Sequence, residues 1–284
     1  MKRRIAAVIA ALALTISSLS AGAPAAGAEP LAGASYVALG DSIAAGTGNL
    51  PYANEECLRS RKSYPMLLAR TLGVPVASSA CSGATTADVI NEQLGDLGPA
   101  TRLVTLTVGI NNLPWQQLLL ACSTPEQVVA CQALQAQAFA AAQALPGNIA
   151  GVLAAIRARA PQATIVVTGY PMLFGAVTDS CSIGAYRGTP VKVSAGLAGQ
   201  LNAGVTGVNS AIGAGVFAYA NGTGDFNVAY VPVAGGFAGH GLCDTQDRWI
   251  SGFVSGKPNL ERSLHPNSPG QKAYARILAG AVGS

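Results

Sequence analysis

The sequence predicts an α/β protein built on a parallel sheet with helices on both faces. Short apolar runs at residues 36–39, 75–79, 103–108, 164–168 and 227–233 read as strands buried on both sides, without the alternation of half-exposed ones. Longer segments of helical character separate them, and strand–helix alternation implies parallel crossovers. No repeat or linker divides the chain, and its 284 residues suffice for one full-sized core.

Residues 1–28 have the form of a secretory leader, which leaves a single domain over 29–284 and an extracellular location. Lys2, Arg3 and Arg4 precede an apolar stretch at 5–16, and Ala26-Gly27-Ala28 supplies small residues for cleavage near Ala28. The apolar stretch is short for a membrane span, so no stable anchor is expected. Those three cations belong to 17 basic residues set against 13 acidic ones, so beyond the leader the charges nearly balance. Nothing electrostatic points to nucleic acid, and Arg59, Arg61 and Lys62 form only a short solvated cluster. The chain is expected to act as a monomer.

Six cysteines in an exported chain argue for three disulfides. Cys122 and Cys131 are close enough for a local bridge; the simplest completion joins Cys57 to Cys81 and Cys181 to Cys243. Zinc fits poorly, because no C-x-x-C pair occurs and His240 and His265 stand apart.

Taken in order, the first strand ends at Gly40 and leads into Asp41-Ser42, with Gly46 and Gly48 freeing the loop. Residues 57–72 read as a helix ending at Gly73. After the second strand, Thr85 or Thr86 caps a helix through Leu94. The third strand is bounded by Gly109-Ile110-Asn111-Asn112. An Ala/Gln/Leu stretch over 125–160 reads as helix with a break near Pro146-Gly147. Residues 191–219 read as a glycine-weakened helix and 268–281 as the closing one.

Ser42, Gly83, Asn111 and His265 all follow strand ends or lie in late loops, and in a parallel sheet such loops gather along one edge. Gathered there, they suit acyl transfer. A serine hydroxyl needs a base, an imidazole near neutral pH is the usual one, and the oxyanion needs fixed donors. The Ser42 and Gly83 N–H groups and the Asn111 amide could supply those donors. His240, close to Cys243, reads as structural or cleft-lining, Asp41 as a turn residue. Trp115 and Trp249 suit an acyl groove or ordinary packing.

The order Gly40-Asp41-Ser42 with Gly46, then Gly83, then Gly109-Ile110-Asn111, then His265 resembles the SGNH or GDSL hydrolases from residue 36 to the C-terminus. With its leader and six cysteines, the chain is most similar to their secreted bacterial lipases and phospholipases A1. The resemblance implies a three-layer α/β/α sandwich with a five-stranded, flavodoxin-like parallel sheet and the sequential disulfide pairing above. It also implies hydrolysis of lipid acyl esters through a serine acyl-enzyme without cofactor or metal. Two positions depart from the family pattern. Asn112 replaces the usual aspartate of the third block, and Arg262 stands where an aspartate often precedes the histidine. A guanidinium cannot accept from an imidazole N–H, so the backbone carbonyl of Ser263 is the expected orienting group and the Glu261 side chain the alternative. Esterases of acetylated carbohydrate or polyester, and a non-catalytic surface-binding protein on the same fold, are the competing readings.

Overall fold

A computed structural model describes residues 33–122, 125–186, 188–254 and 260–283; the leader assigned to 1–28 lies outside them. In chain order the strands are β1 (Tyr36–Gly40), β2 (Tyr52–Asn54), β3 (Arg59–Ser60), β4 (Val76–Ser78), β5 (Leu103–Thr107), β6 (Thr164–Thr168), β7 (Ser180–Tyr186), β8 (Thr189–Ser194), β9 (Val228–Val231) and β10 (Phe253–Val254). The helices are α1 (Ser42–Ala45), α2 (Tyr64–Leu72), α3 (Thr86–Glu92), α4 (Trp115–Cys122), α5 (Val128–Arg159), α6 (Ala195–Thr223) and α7 (Ser268–Val282).

Five strands form the central sheet in the order β4-β1-β5-β6-β9, and every pairing is parallel. The expected sheet is therefore present, with each apolar run in it. Val37, Leu39, Val104, Leu106, Ile165 and Val167 are fully buried, which explains why the runs carry no polar alternation.

Polar groups cross the same core in a closed relay. The Tyr64 hydroxyl lies 2.8 Å from Oγ1 of Thr107, which is 2.6 Å from Oγ1 of Thr168, itself 2.9 Å from the Tyr274 hydroxyl. Tyr274 passes its proton bond on to the carbonyl of Gly169. Tyr64 and Tyr274 also stack, with centroids 4.6 Å apart, so the relay locks α2 and α7 to each other and to the strand ends.

Three elements differ from the sequence reading. The helix expected from residue 57 begins at Tyr64, behind the small antiparallel pair β2–β3; Pro65 at its start marks the true boundary. Helix α5 runs through Pro146 without the expected break. Leu145, Ile149, Val152, Leu153 and Ile156 are all buried, and their continuous stripe against the core outweighs the missing proline N–H. Residues 191–194, the start of the helix expected over 191–219, instead belong to β8, which pairs with β7 as an antiparallel hairpin. Helix α6 begins only after Ser194, whose Oγ caps it by accepting the Leu197 N–H.

The three disulfides join Cys57 to Cys81, Cys122 to Cys131 and Cys181 to Cys243, as expected.

Candidate active site

Gly40 ends β1 with φ +128, and a Cβ there would lie 2.1 Å from the Thr107 carbonyl, so only glycine fits. The Gln93 side chain grips the same residue twice, accepting from Gly40 N–H at 2.7 Å and donating to its carbonyl at 2.9 Å. The chain then turns directly into α1. Asp41 is its N-cap, with Oδ1 accepting the Ile43 N–H at 3.0 Å. Ser42 is the first helical residue, so its N–H has no partner within the helix.

The far end of the chain is tied to this turn. Asn49 donates to the Pro266 carbonyl at 3.0 Å. Gln271 of α7 donates to the Ile43 carbonyl at 3.2 Å and accepts the Tyr64 N–H at 2.7 Å. Leu264 adopts φ +63, and its N–H bonds the Ser251 carbonyl at 3.0 Å, turning the loop so that His265 faces inward.

There His265 Nε2 lies 2.8 Å from Ser42 Oγ, and His265 Nδ1 lies 2.9 Å from the Ser263 carbonyl. A carbonyl can only accept, so Nδ1 carries the proton and Nε2 is free to accept the serine hydroxyl. Burial pushes the imidazole below its usual 6.5, partly opposed by the Ser263 carbonyl and by the charge of Glu261. Arg262 packs its stem over Gly48.

The loop after β5 contributes Asn111. Its Nδ2 donates to the Ala84 carbonyl at 3.1 Å, and its Oδ1 accepts the Trp115 indole N–H at 3.2 Å. Asn112 answers the departure from the family pattern: Oδ1 accepts the Thr86 N–H at 3.1 Å while Nδ2 donates to Thr86 Oγ1 at 2.7 Å. An amide serves both ends of that contact. Gly83 has φ +88 with open space where a Cβ would sit.

Ser42, Asn111 and His265 line one cavity of about 170 Å³, whose walls among the described residues include Leu113, Trp115, Leu173, Leu201 and Val205 and no Asp, Glu, Lys or Arg. Gly83 lines an adjoining space instead, shared with Asn111 and Trp115. Of the two candidate groove tryptophans, Trp115 lines the cavity and Trp249 does not. Trp249 stacks on His240 at 3.6 Å, and His240 Nδ1 lies 2.8 Å from the Asp247 carbonyl, away from Ser42.

Tyr170 escaped the sequence reading. Its hydroxyl donates to Asp41 Oδ2 at 2.6 Å and accepts the Ile110 N–H at 3.1 Å, joining the Ser42 turn to the Asn111 loop. Asn209 holds it in place, accepting the Tyr170 N–H at 2.7 Å and donating to its carbonyl at 2.8 Å. Its only sequence signal is position, two residues past the end of a buried strand. Asp41 itself is fully buried; burial raises its carboxyl from 3.8 to about 7, against the opposing bonds from Tyr170 and Ile43. Among the described residues no three His, Cys, Asp or Glu side chains cluster as metal ligands.

A five-stranded parallel sheet that brings serine, asparagine and a late histidine to its carboxyl edge defines a carboxylic ester hydrolase of the SGNH architecture. The chain belongs to the GDSL-like Lipase/Acylhydrolase family, whose model it matches over residues 38–273. It is 35% identical to a lipase of Streptomyces rimosus over 98% of both chains. Among solved structures it is similar to phospholipase A1 from Streptomyces albidoflavus NA297, at TM-score 0.72 and 32% identity, covering 88% of this chain and 99% of that one. The extracellular lipase of Streptomyces rimosus is a second, at TM-score 0.70 and 34% identity, covering 87% and 98%.

Proposed function

We propose that the chain is a secreted, monomeric lipid ester hydrolase that works through Ser42 and His265 alone, without a side-chain carboxylate. The observation that carries this is the continuous line from the Ser263 carbonyl through the imidazole to Ser42 Oγ, at 2.9 and 2.8 Å. His265 takes the hydroxyl proton as Ser42 attacks the acyl carbon, then gives it to the departing alcohol. Water, deprotonated by the same imidazole, releases the acid. The Ser42 N–H, the Gly83 N–H and the Asn111 amide receive the oxyanion. Ser263 supplies only orientation, through its carbonyl.

The acyl half of the substrate belongs in the uncharged cavity. At about 170 Å³ it has the scale of an apolar cavity that admits a benzene ring, more room than an acetyl group uses. Lipid acyl chains therefore suit it better than acetylated carbohydrate, and the Streptomyces lipases and phospholipase A1 agree with that choice. Three disulfides and the extracellular relative support export, and no stable membrane anchor is assigned. A panel of p-nitrophenyl esters of rising chain length, run beside phosphatidylcholine and an acetylated xylan, tests the reading. Highest kcat/KM on medium or long acyl chains is expected; preference for acetyl esters would overturn it.

A further inference from the structure

The Asn111 amide has two faces, and only one is useful to an oxyanion. Turned one way it offers N–H; turned the other way it offers a carbonyl oxygen, which would repel the developing negative charge. Two neighbours decide the matter. The Ala84 carbonyl, 3.1 Å from Nδ2, can only accept; the Trp115 indole N–H, 3.2 Å from Oδ1, can only donate. Both contacts are satisfied in a single orientation, which uses one Nδ2 hydrogen and leaves the other for a ligand in the cavity that Asn111 lines together with Ser42. Trp115 opens α4, four residues beyond Asn111, so the contact reaches back from the helix entry, past the extended Leu113, to the short turn that carries Asn111. The same indole walls the cavity that contains Ser42 and His265 and the adjoining space that contains Gly83.

We propose that Trp115 is a positioning residue for the oxyanion donor: its indole N–H holds the Asn111 amide with nitrogen toward the reacting carbonyl, while its ring serves separately as wall. This rests on the reading of Asn111 as an oxyanion donor. The two functions divide cleanly by substitution, because phenylalanine keeps an aromatic wall and removes only the donor.

The test is a double-mutant cycle on a soluble p-nitrophenyl ester, using Trp115→Phe, Asn111→Ala and the pair. Losing one neutral hydrogen bond corresponds to roughly a five- to tenfold effect, so Trp115→Phe should lower kcat by that factor with KM little changed. In the Asn111→Ala background the same replacement should cost less than twofold, because the group it positions is gone. Equal losses in both backgrounds, or a change confined to KM, would make Trp115 a wall only and overturn the proposal. If Asn111→Ala alone leaves kcat intact, the oxyanion reading itself fails, an outcome distinct from additivity in the cycle. Circular dichroism and Tm of each variant separate a misfolded α4 from a misplaced amide, and Trp115→Tyr provides a second ring variant lacking the indole donor. It should show the same dependence on Asn111.

Discussion

His265 Nε2 lies 2.8 Å from Ser42 Oγ although 223 positions separate the two residues. The pairing is held from both ends: Asn49 and Gln271 bridge the two loops, and the Ser263 carbonyl fixes the ring. An imidazole so placed needs no carboxylate to choose its tautomer.

On the proposed reading, in which the Ser263 carbonyl orients the ring, Glu261 is dispensable for orientation. Glu261→Gln should change the limiting kcat/KM by less than about threefold, well short of the losses seen when a true triad member is removed. The replacement should still move the pH profile. Burial already holds the His265 pKa below 6.5, so the acid limb of kcat/KM should have its midpoint below that value. Glu261 favours the imidazolium, so its neutralisation should shift the midpoint further down. A large loss across all pH values would restore a side-chain triad.

Asp41 gives a stability signature of opposite sign to that of an ordinary paired carboxylate. Its folded pKa of about 7 exceeds the unfolded value of 3.8. Its contribution is thus fully present below pH 3.8 and is lost as pH rises through 7, by an amount on the order of a few kcal/mol. Measured by urea unfolding, the advantage of the wild-type chain over Asp41→Asn should shrink steadily between pH 4 and pH 8. A constant difference would contradict the buried, neutral carboxyl.

Tyr170→Phe removes the one group that serves both Asp41 Oδ2 and the Ile110 N–H. Leaving buried polar atoms unpaired costs about 1–3 kcal/mol, so a matching drop in unfolding free energy is expected. The drop should be much smaller in an Asp41→Ala background.

The proposed oxyanion donors differ in what a substitution does. Asn111→Ala should lower kcat by roughly 10²–10³, the usual scale for one such donor, with KM nearly constant in steady-state assays. Gly83→Ala meets no neighbour within 4 Å, so any loss comes from forcing alanine to φ +88. That strain is about 1–2 kcal/mol, visible in Tm before it is visible in turnover.

Val205 lies on α6 in the cavity wall, and Val205→Trp would fill the space proposed for the acyl chain. Each methylene excluded is worth about 0.8 kcal/mol, roughly fourfold. The kcat/KM ratio of octanoate to butyrate esters should therefore fall by more than tenfold, and an unchanged ratio would place the acyl chain elsewhere.

The catalytic edge was legible because its parts are local: Gly40-Asp41-Ser42 is a strand end followed by a capped turn, and each apolar run buried on both faces announces its strand. Pro146 misled because the buried stripe from Leu145 to Ile156, a tertiary fact, decides α5. The alternation in Val191-Lys192-Val193 signalled a strand that the surrounding Gly and Ala obscured. Tyr170, Gln93 and Asn209 were invisible because their partners lie far away in sequence, and an isolated polar residue beside a strand carries no pattern. The orienting role proposed for Ser263 came from family likeness and from what Arg262 cannot do, since a backbone carbonyl leaves no trace in residue type.

Fluorophosphonate labelling followed by peptide mass spectrometry tests the central pairing most directly. The adduct should map to Ser42, disappear in Ser42→Ala with Tm and circular dichroism unchanged, and form far more slowly in His265→Ala. A label on any other residue, or full ester turnover by folded Ser42→Ala, would contradict the account.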